Sequence, residues 1–252
     1  MNVMKNSILI VLFISLISCG QKKLNNPLEL TFLNKNLKSL IIKDSVRGLI
    51  DISMDEYNEK FANPIQFKIE NKSSERYLLV IDNAAKLFFP YDLESLAPEN
   101  ILFFDEEGNS PKYSGTTASG EMLFYDYLNF KDSINKKFYR GIGYSDKDRS
   151  WWSINDELKQ SMIKIGPKEI LYFETYIHLP YSMNRLTGNW YNGVIFDTTK
   201  QYHSKLKYRF KAWEDFEEFL TELQKKEITE NNYIIFSKEL ISTNEIPVKF
   251  LD

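Results

Sequence analysis

The stretch Pro64 to Asn83, PIQFKIENKSSERYLLVIDN, does most to limit how this chain can fold. Ile65, Phe67 and Ile69 alternate with Gln66, Lys68 and Glu70, the two-residue period of a strand with one buried face. ENKSSE follows as a turn cluster, and RYLLVIDN then reads as a second, more continuously apolar strand. The pair is expected to form a hairpin.

The same grammar runs through the chain. ILFFDEEGNSPKY is an apolar strand followed by a turn over Asp105 to Pro111. MLFYDYLNF and KFYRGIGY are aromatic-rich and read as strands. IKIGPKEILYFETYIHLPY holds a Gly-Pro turn and then a long alternating run. In that run Leu171, Phe173, Thr175 and Ile177 face one way, and Tyr172, Glu174, Tyr176 and His178 face the other. One helix is expected late, where Trp213, Phe216, Phe219, Leu220 and Leu223 fall at helical spacing among acids. Acids in its first turns and Lys225 and Lys226 near its end suit the helix dipole. NYIIF and IPVKF return to strand. Many short strands and one inserted helix predict a mainly β chain, an antiparallel β-sandwich with that helix between its last strands.

The N-terminus follows different rules. MNVMKN carries Lys5, and SILIVLFISLIS is apolar apart from serines, the layout of a secretory signal peptide. It is shorter than the ~20 apolar residues that span a bilayer. Leu16-Ile17-Ser18-Cys19 resembles the bacterial lipobox. The resemblance implies a leader over residues 1–18 cut before Cys19, and a diacylglycerol on the Cys19 thiol. Cys19 is the only cysteine. An unpaired thiol is poorly suited to an oxidising compartment, and acylation removes that difficulty. Residues 19–27, with the polar GQKKLNNP, read as the lipidated cysteine and its tether, and residues 28–252 as one domain. Gly20 after the cysteine, where retained lipoproteins have an aspartate, resembles lipoproteins of the outer membrane. That implies a periplasm-facing domain in a Gram-negative envelope.

Charge sets outer bounds. The chain has 32 basic and 35 acidic residues, a net −3, and loss of residues 1–18 removes Lys5 and no acid, leaving −4. That balance argues against nucleic-acid binding and against recruitment to anionic lipid by overall charge. Membrane attachment then rests on the acyl chains. With 43% hydrophobic and 15% aromatic residues the domain can bury a large core, and stability must come from burial because no disulfide is available.

FKIENKSSERYLLVI, ILFFDEEGN and IGPKEILYFETYIHLP together resemble the immunoglobulin-like domains of bacterial lipoproteins and periplasmic proteins. The resemblance lies in turn motifs between Phe67 and Pro180 and bears on fold more than on function. One relative of that group is a protease-inhibitor-like fold, but no inhibitory loop can be carried over.

Chemistry is sparse. Glu174 and His178 share a strand face but lie about 13 Å apart, too far to hold one metal, and His203 has no neighbouring ligand in sequence. No Gly-x-Ser-x-Gly elbow occurs. SGTTASG (Ser114 to Gly120) lacks the lysine of a phosphate loop, and GIGYSD offers two glycines without a third. No cofactor and no metal is therefore expected. Asp146 and Asp148 are a carboxylate pair of the kind a glycosidase needs only if they face each other across a cleft. The candidate binding residues are aromatics in polar surroundings: Trp151 and Trp152 in YSDKDRSWWSIND, Trp190 and Tyr191 in LTGNWYNG. On loops they can stack on sugars or anchor a partner; folded back, they cap the ends of the sandwich. The expected activity is non-catalytic binding or an accessory role in the envelope. The alternatives are a carbohydrate-active hydrolase, or an immunity- or inhibitor-type lipoprotein with one protein partner.

Overall fold

A computed structural model describes residues 26–41, 62–81, 100–114, 133–184 and 189–251. The leader, Cys19, most of the tether, Gly115–Gly120 and MLFYDYLNF lie outside the described residues. Within them the chain is mainly β. Strands β1 (Leu28–Phe32), β3 (Ala62–Asn71) and β8 (Ile170–His178) form an antiparallel sheet in the order β1-β3-β8. Phe67 sits in register with Phe32 on one side and Phe173 on the other. The alternation read from the sequence holds: Ile65, Phe67 and Ile69 are buried, while Gln66 is exposed and Lys68 and Glu70 are half-buried.

A second sheet contains β2 (Leu37–Leu40), β5 (Ile101–Asp105), β11 (Tyr202–Tyr208), β13 (Leu240–Ile241) and β14 (Ile246–Leu251). Its inward residues join those of the first sheet in one apolar cluster that includes Leu30, Phe67, Phe103, Leu206, Tyr208 and Val248. The Phe67 and Tyr208 rings meet across it at 5.3 Å. A third sheet, β12-β4-β7, uses β4 (Arg76–Val80), β7 (Met162–Ile165) and β12 (Tyr233–Ile235). A fourth, β6-β10-β9, uses β6 (Lys112–Ser114), β9 (Tyr181–Asn184) and β10 (Asn189–Ile195).

The expected hairpin between β3 and β4 does not form. β3 pairs with β1 and β8, whereas β4 pairs with β7 and β12. The reason is the continuous apolar run of β4, which cannot place one face in water. Tyr77, Leu79 and Ile81 enter the main cluster, and Leu78 and Val80 enter a second one with Leu158, Phe216, Leu220 and Ile228. The chain therefore changes sheet at Asn71–Arg76 and changes back at Ile165–Ile170. The two corners lie together. Asn71 Nδ2 donates to Glu75 O and to Gly166 O, both at 2.7 Å, and the Asn71 amide donates to Glu169 O at 2.9 Å. Lys168 takes the left-handed conformation (φ 59°) that closes the second corner.

The wholly antiparallel expectation also needs correction. β12 runs parallel to β4, and β14 runs parallel to β2. Parallel neighbours require long crossover connections. In the first case the connection carries the helical segments that cover the outer face of β4.

Three helices occur among the described residues, not one. Residues 133–141 (α1) are helical, which corrects the strand expected for KFYRGIGY. α2 (Arg149–Ser161) occupies the stretch expected to be a loop. The late helix exists but is shifted: Trp213–Asp215 and Glu217–Phe219 are 3-10 turns, and α3 (Glu222–Glu230) begins after them. Thr221 and Gln224 form a capping box that fixes the start of α3, leaving Leu223 outside and exposed. Among the described residues no helix is long and apolar enough to cross a membrane.

Candidate functional site

Asp148 determines where Trp151 and Trp152 go. Its carboxylate accepts from the Trp151 amide at 2.9 Å and caps α2. Asp148 is thereby tied to a helix end, while Asp146 lies in the exposed turn before it. The helix then buries Trp151, Trp152, Asn155 and Leu158, a 3-4 spacing along one face. The tryptophans are not loop residues open to a ligand. They are 6% and 7% exposed and pack with Tyr139 of α1, with Tyr144 and Phe219 alongside. Tyr144 stacks on Trp151 at 5.2 Å, and Tyr139 meets it edge-on at 5.7 Å.

Every indole N–H of the pair is used. Trp151 Nε1 donates to Glu218 O at 2.8 Å, and Trp152 Nε1 donates to Tyr144 O at 3.2 Å. Below them runs a polar chain. Lys159 Nζ donates to Tyr139 Oη at 2.9 Å, and Tyr139 Oη donates to Asn155 Oδ1 at 2.7 Å. Asn155 Nδ2 donates to Phe219 O and, at 2.8 Å, to Gln224 Oε1. Burial pushes the Tyr139 phenol well above its ordinary range, with Asp156 adding to the effect. Desolvation lowers the Lys159 ammonium, and Asp156 opposes that shift. A tyrosine beside a lysine is chemistry that can serve proton transfer. Here the Tyr139 hydroxyl is fully buried and holds its proton, so the pair joins α1, α2 and the 3-10 turns into one unit.

Trp190 and Tyr191 fall in β10, opposite Met183 and Ser182 of β9, and not next to Trp151 in any paired element. His178 is buried beside Tyr176, and His203 is half-buried, its ring stacked over Phe104 at 6.2 Å. Among the described residues no group of three or more His, Cys, Asp or Glu is placed to hold a metal.

A separate charged cluster lies at the β5 turn. Asp105 accepts from the backbone of Glu107 at 3.0 Å and of Asn109 at 2.8 Å, and from Lys200 Nζ at 2.6 Å. The Lys200 hydrogen bond, with help from the Asn109 and Glu107 donors, holds the Asp105 carboxyl down at about 2 against opposing desolvation. This closes a turn and offers no free carboxylate pair.

What the sequence missed is on α1. Ile134, Phe138 and Ile142 are 52%, 49% and 48% exposed. They recur every four residues, and the Ile142 amide still bonds to Phe138 O, so the helical register carries through the third. The i, i+4, i+8 recurrence was the available signal, concealed within a run that reads as strand. No family model, no curated protein and no solved structure matches the chain.

Proposed function

We propose that this chain is a lipid-anchored cell-envelope protein whose domain is a non-catalytic β-sandwich serving as a binding or accessory component. The observation that carries the reading is the order Leu16-Ile17-Ser18-Cys19 at the end of an apolar leader, with Cys19 the only thiol. Gly20 favours the outer membrane, with the domain on the periplasmic side. The sandwich reading is supported by the shared core of the first two sheets, where Phe67 of one touches Tyr208 of the other. The burial of Trp151 and Trp152 takes them out as binding aromatics and leaves the carbohydrate-stacking platform of the hydrolase alternative without its central residues.

The test is expression of the full chain and of Cys19→Ala in a Gram-negative host. The expected result is a protein cut before Cys19, heavier by its acyl groups in mass spectra and found with membranes. Cys19→Ala should lose both the added mass and the cleavage. An unmodified Cys19 in the membrane-bound wild-type protein would overturn the anchoring role.

A further inference from the structure

The exposed stripe of α1 is an unusual surface in an acidic protein. From Ser133 to Tyr144 the chain carries Lys136, Lys137 and Arg140 and no acid, although the whole chain is net −3. All three are exposed. At ~100° per residue Lys137 flanks the stripe formed by Ile134, Phe138 and Ile142, while Lys136 and Arg140 lie further round toward water. A fourth cation comes from α2, with Lys159 Nζ 4.8 Å from the centre of the Phe138 ring. Asp146 and Asp148 come only in the following turn, and Asp148 is occupied as the α2 cap. The inner side of α1 is fixed by Tyr139, so the stripe cannot turn inward to hide.

Large apolar side chains beside cations on a short helix are the features of an interfacial membrane helix. A protein groove would satisfy the apolar residues equally, but it gives no reason for a cation on each flank, Lys137 on one side and Lys159 on the other. Anionic headgroups do. Lys136 and Arg140 point away from the stripe and add only a screened positive field. Proximity comes from the tether: the nine residues 19–27 reach at most about 30 Å when extended. A surface bound weakly by itself is then presented to lipid at high effective concentration.

We propose that α1 docks on an anionic phospholipid surface, inserting Ile134, Phe138 and Ile142 at the boundary between headgroups and acyl chains while Lys137 on one flank and Lys159 on the other reach the headgroups. The tethering step rests on the anchoring reading above; the docking itself does not need Cys19. This local patch is invisible to overall charge, which argues against electrostatic recruitment.

The test places one environment-sensitive fluorophore on the helix in the full chain. Cys19→Ala removes the native thiol, and Ile142→Cys supplies the label site, with Ser237→Cys as an exposed control elsewhere. Cys19→Ala also keeps the uncut apolar leader, which holds the chain on either vesicle, so the difference between labels at 142 and 237 is what reports α1. On vesicles of phosphatidylcholine and phosphatidylglycerol the label at 142 should become shielded from acrylamide and quenched by brominated acyl chains, while the label at 237 should not. On phosphatidylcholine alone it should stay in water. Adding K136Q, K137Q and R140Q together should lower the inserted-to-free ratio at least about fivefold, most of it from Lys137 beside the stripe. These side chains are exposed, and an unchanged urea midpoint verifies the fold of each variant. A label at 142 equally open to acrylamide on both vesicles would overturn the proposal. So would insertion that survives the triple change. A label that stays in water on vesicles but is covered by a co-purified protein would assign the stripe to that protein.

Discussion

Replacing Asn155 by alanine tests whether the helical unit is held together by its buried polar chain. Asn155 is fully buried and makes three hydrogen bonds, one received from Tyr139 Oη and two given to Phe219 O and Gln224 Oε1. Gln224 Oε1 keeps a second donor, the Thr221 amide at 2.7 Å, so its loss is small. Tyr139 keeps Lys159 as a donor but loses the acceptor for its own proton, and Phe219 O loses its side-chain donor. Two groups left unsatisfied at ~1–3 kcal/mol each give an expected destabilisation of about 2–6 kcal/mol. That is a large fraction of the ~5–15 kcal/mol typical of a folded domain. Tyr139→Phe should cost less, since it strands only Asn155 Oδ1 in the interior, while the exposed Lys159 turns to water. The double variant should cost less than the sum of the two, with a coupling of about 1–2 kcal/mol, because the two side chains share one bond. Urea unfolding followed by tryptophan fluorescence measures all three, with Trp151 packed against Tyr139 as the local reporter. Additive losses, or an Asn155→Ala protein within about 0.5 kcal/mol of wild type, would show that packing alone holds the unit and refute the reasoning.

Three further outcomes follow from the geometry. Phe67→Ala removes the ring that meets Phe173 and Tyr208, and should cost about 3–5 kcal/mol in the same urea assay. Thr221→Ala removes the acceptor of the Gln224 amide and should cost about 1 kcal/mol, with loss of helical circular dichroism confined to α3. Asp105 has its folded pKa depressed from 3.8 to about 2, so its stabilisation is present above about pH 4 and disappears as pH falls through about 2. Asp105→Asn should therefore be less stable than wild type at pH 7, and acid titration of both should bring their midpoints together near pH 2.

Period-two patterning was the most legible part of the fold. β3 and β8 could be read residue by residue, because each has one face on the core and one toward water. Pairing partners were less legible. The apolar run of β4 signals burial on both faces, but the sequence does not say that the second face is covered by α2 and α3. Helices were obscured by aromatics. KFYRGIGY and SWWSIND are rich in residues with strand preference, and their helical spacing was overridden by composition. Asp148 before Trp151 and Thr221 before Gln224 are capping signals that local reading can find. At the candidate site, exposure was the missing quantity. Trp151 and Trp152 stand in a charged stretch yet are buried, while Ile134 and Phe138 stand in a similar stretch and are not.

The pairing of β14 with β2 has a consequence for the order of assembly. Among the described residues the strand Leu37 to Leu40 pairs with Val248 to Leu251, and the Phe32 amide and carbonyl are bonded by Asn244, 212 positions later. A chain delivered from its N-terminus leaves β2 and the outer edge of β1 open until Asn244 to Leu251 have emerged. Long-range closure of this kind is slow. On the anchoring reading proposed above, lateness is an advantage: the clasp on β1 is synthesised 212 residues after the strand it closes, so the polypeptide stays threadable in the interval.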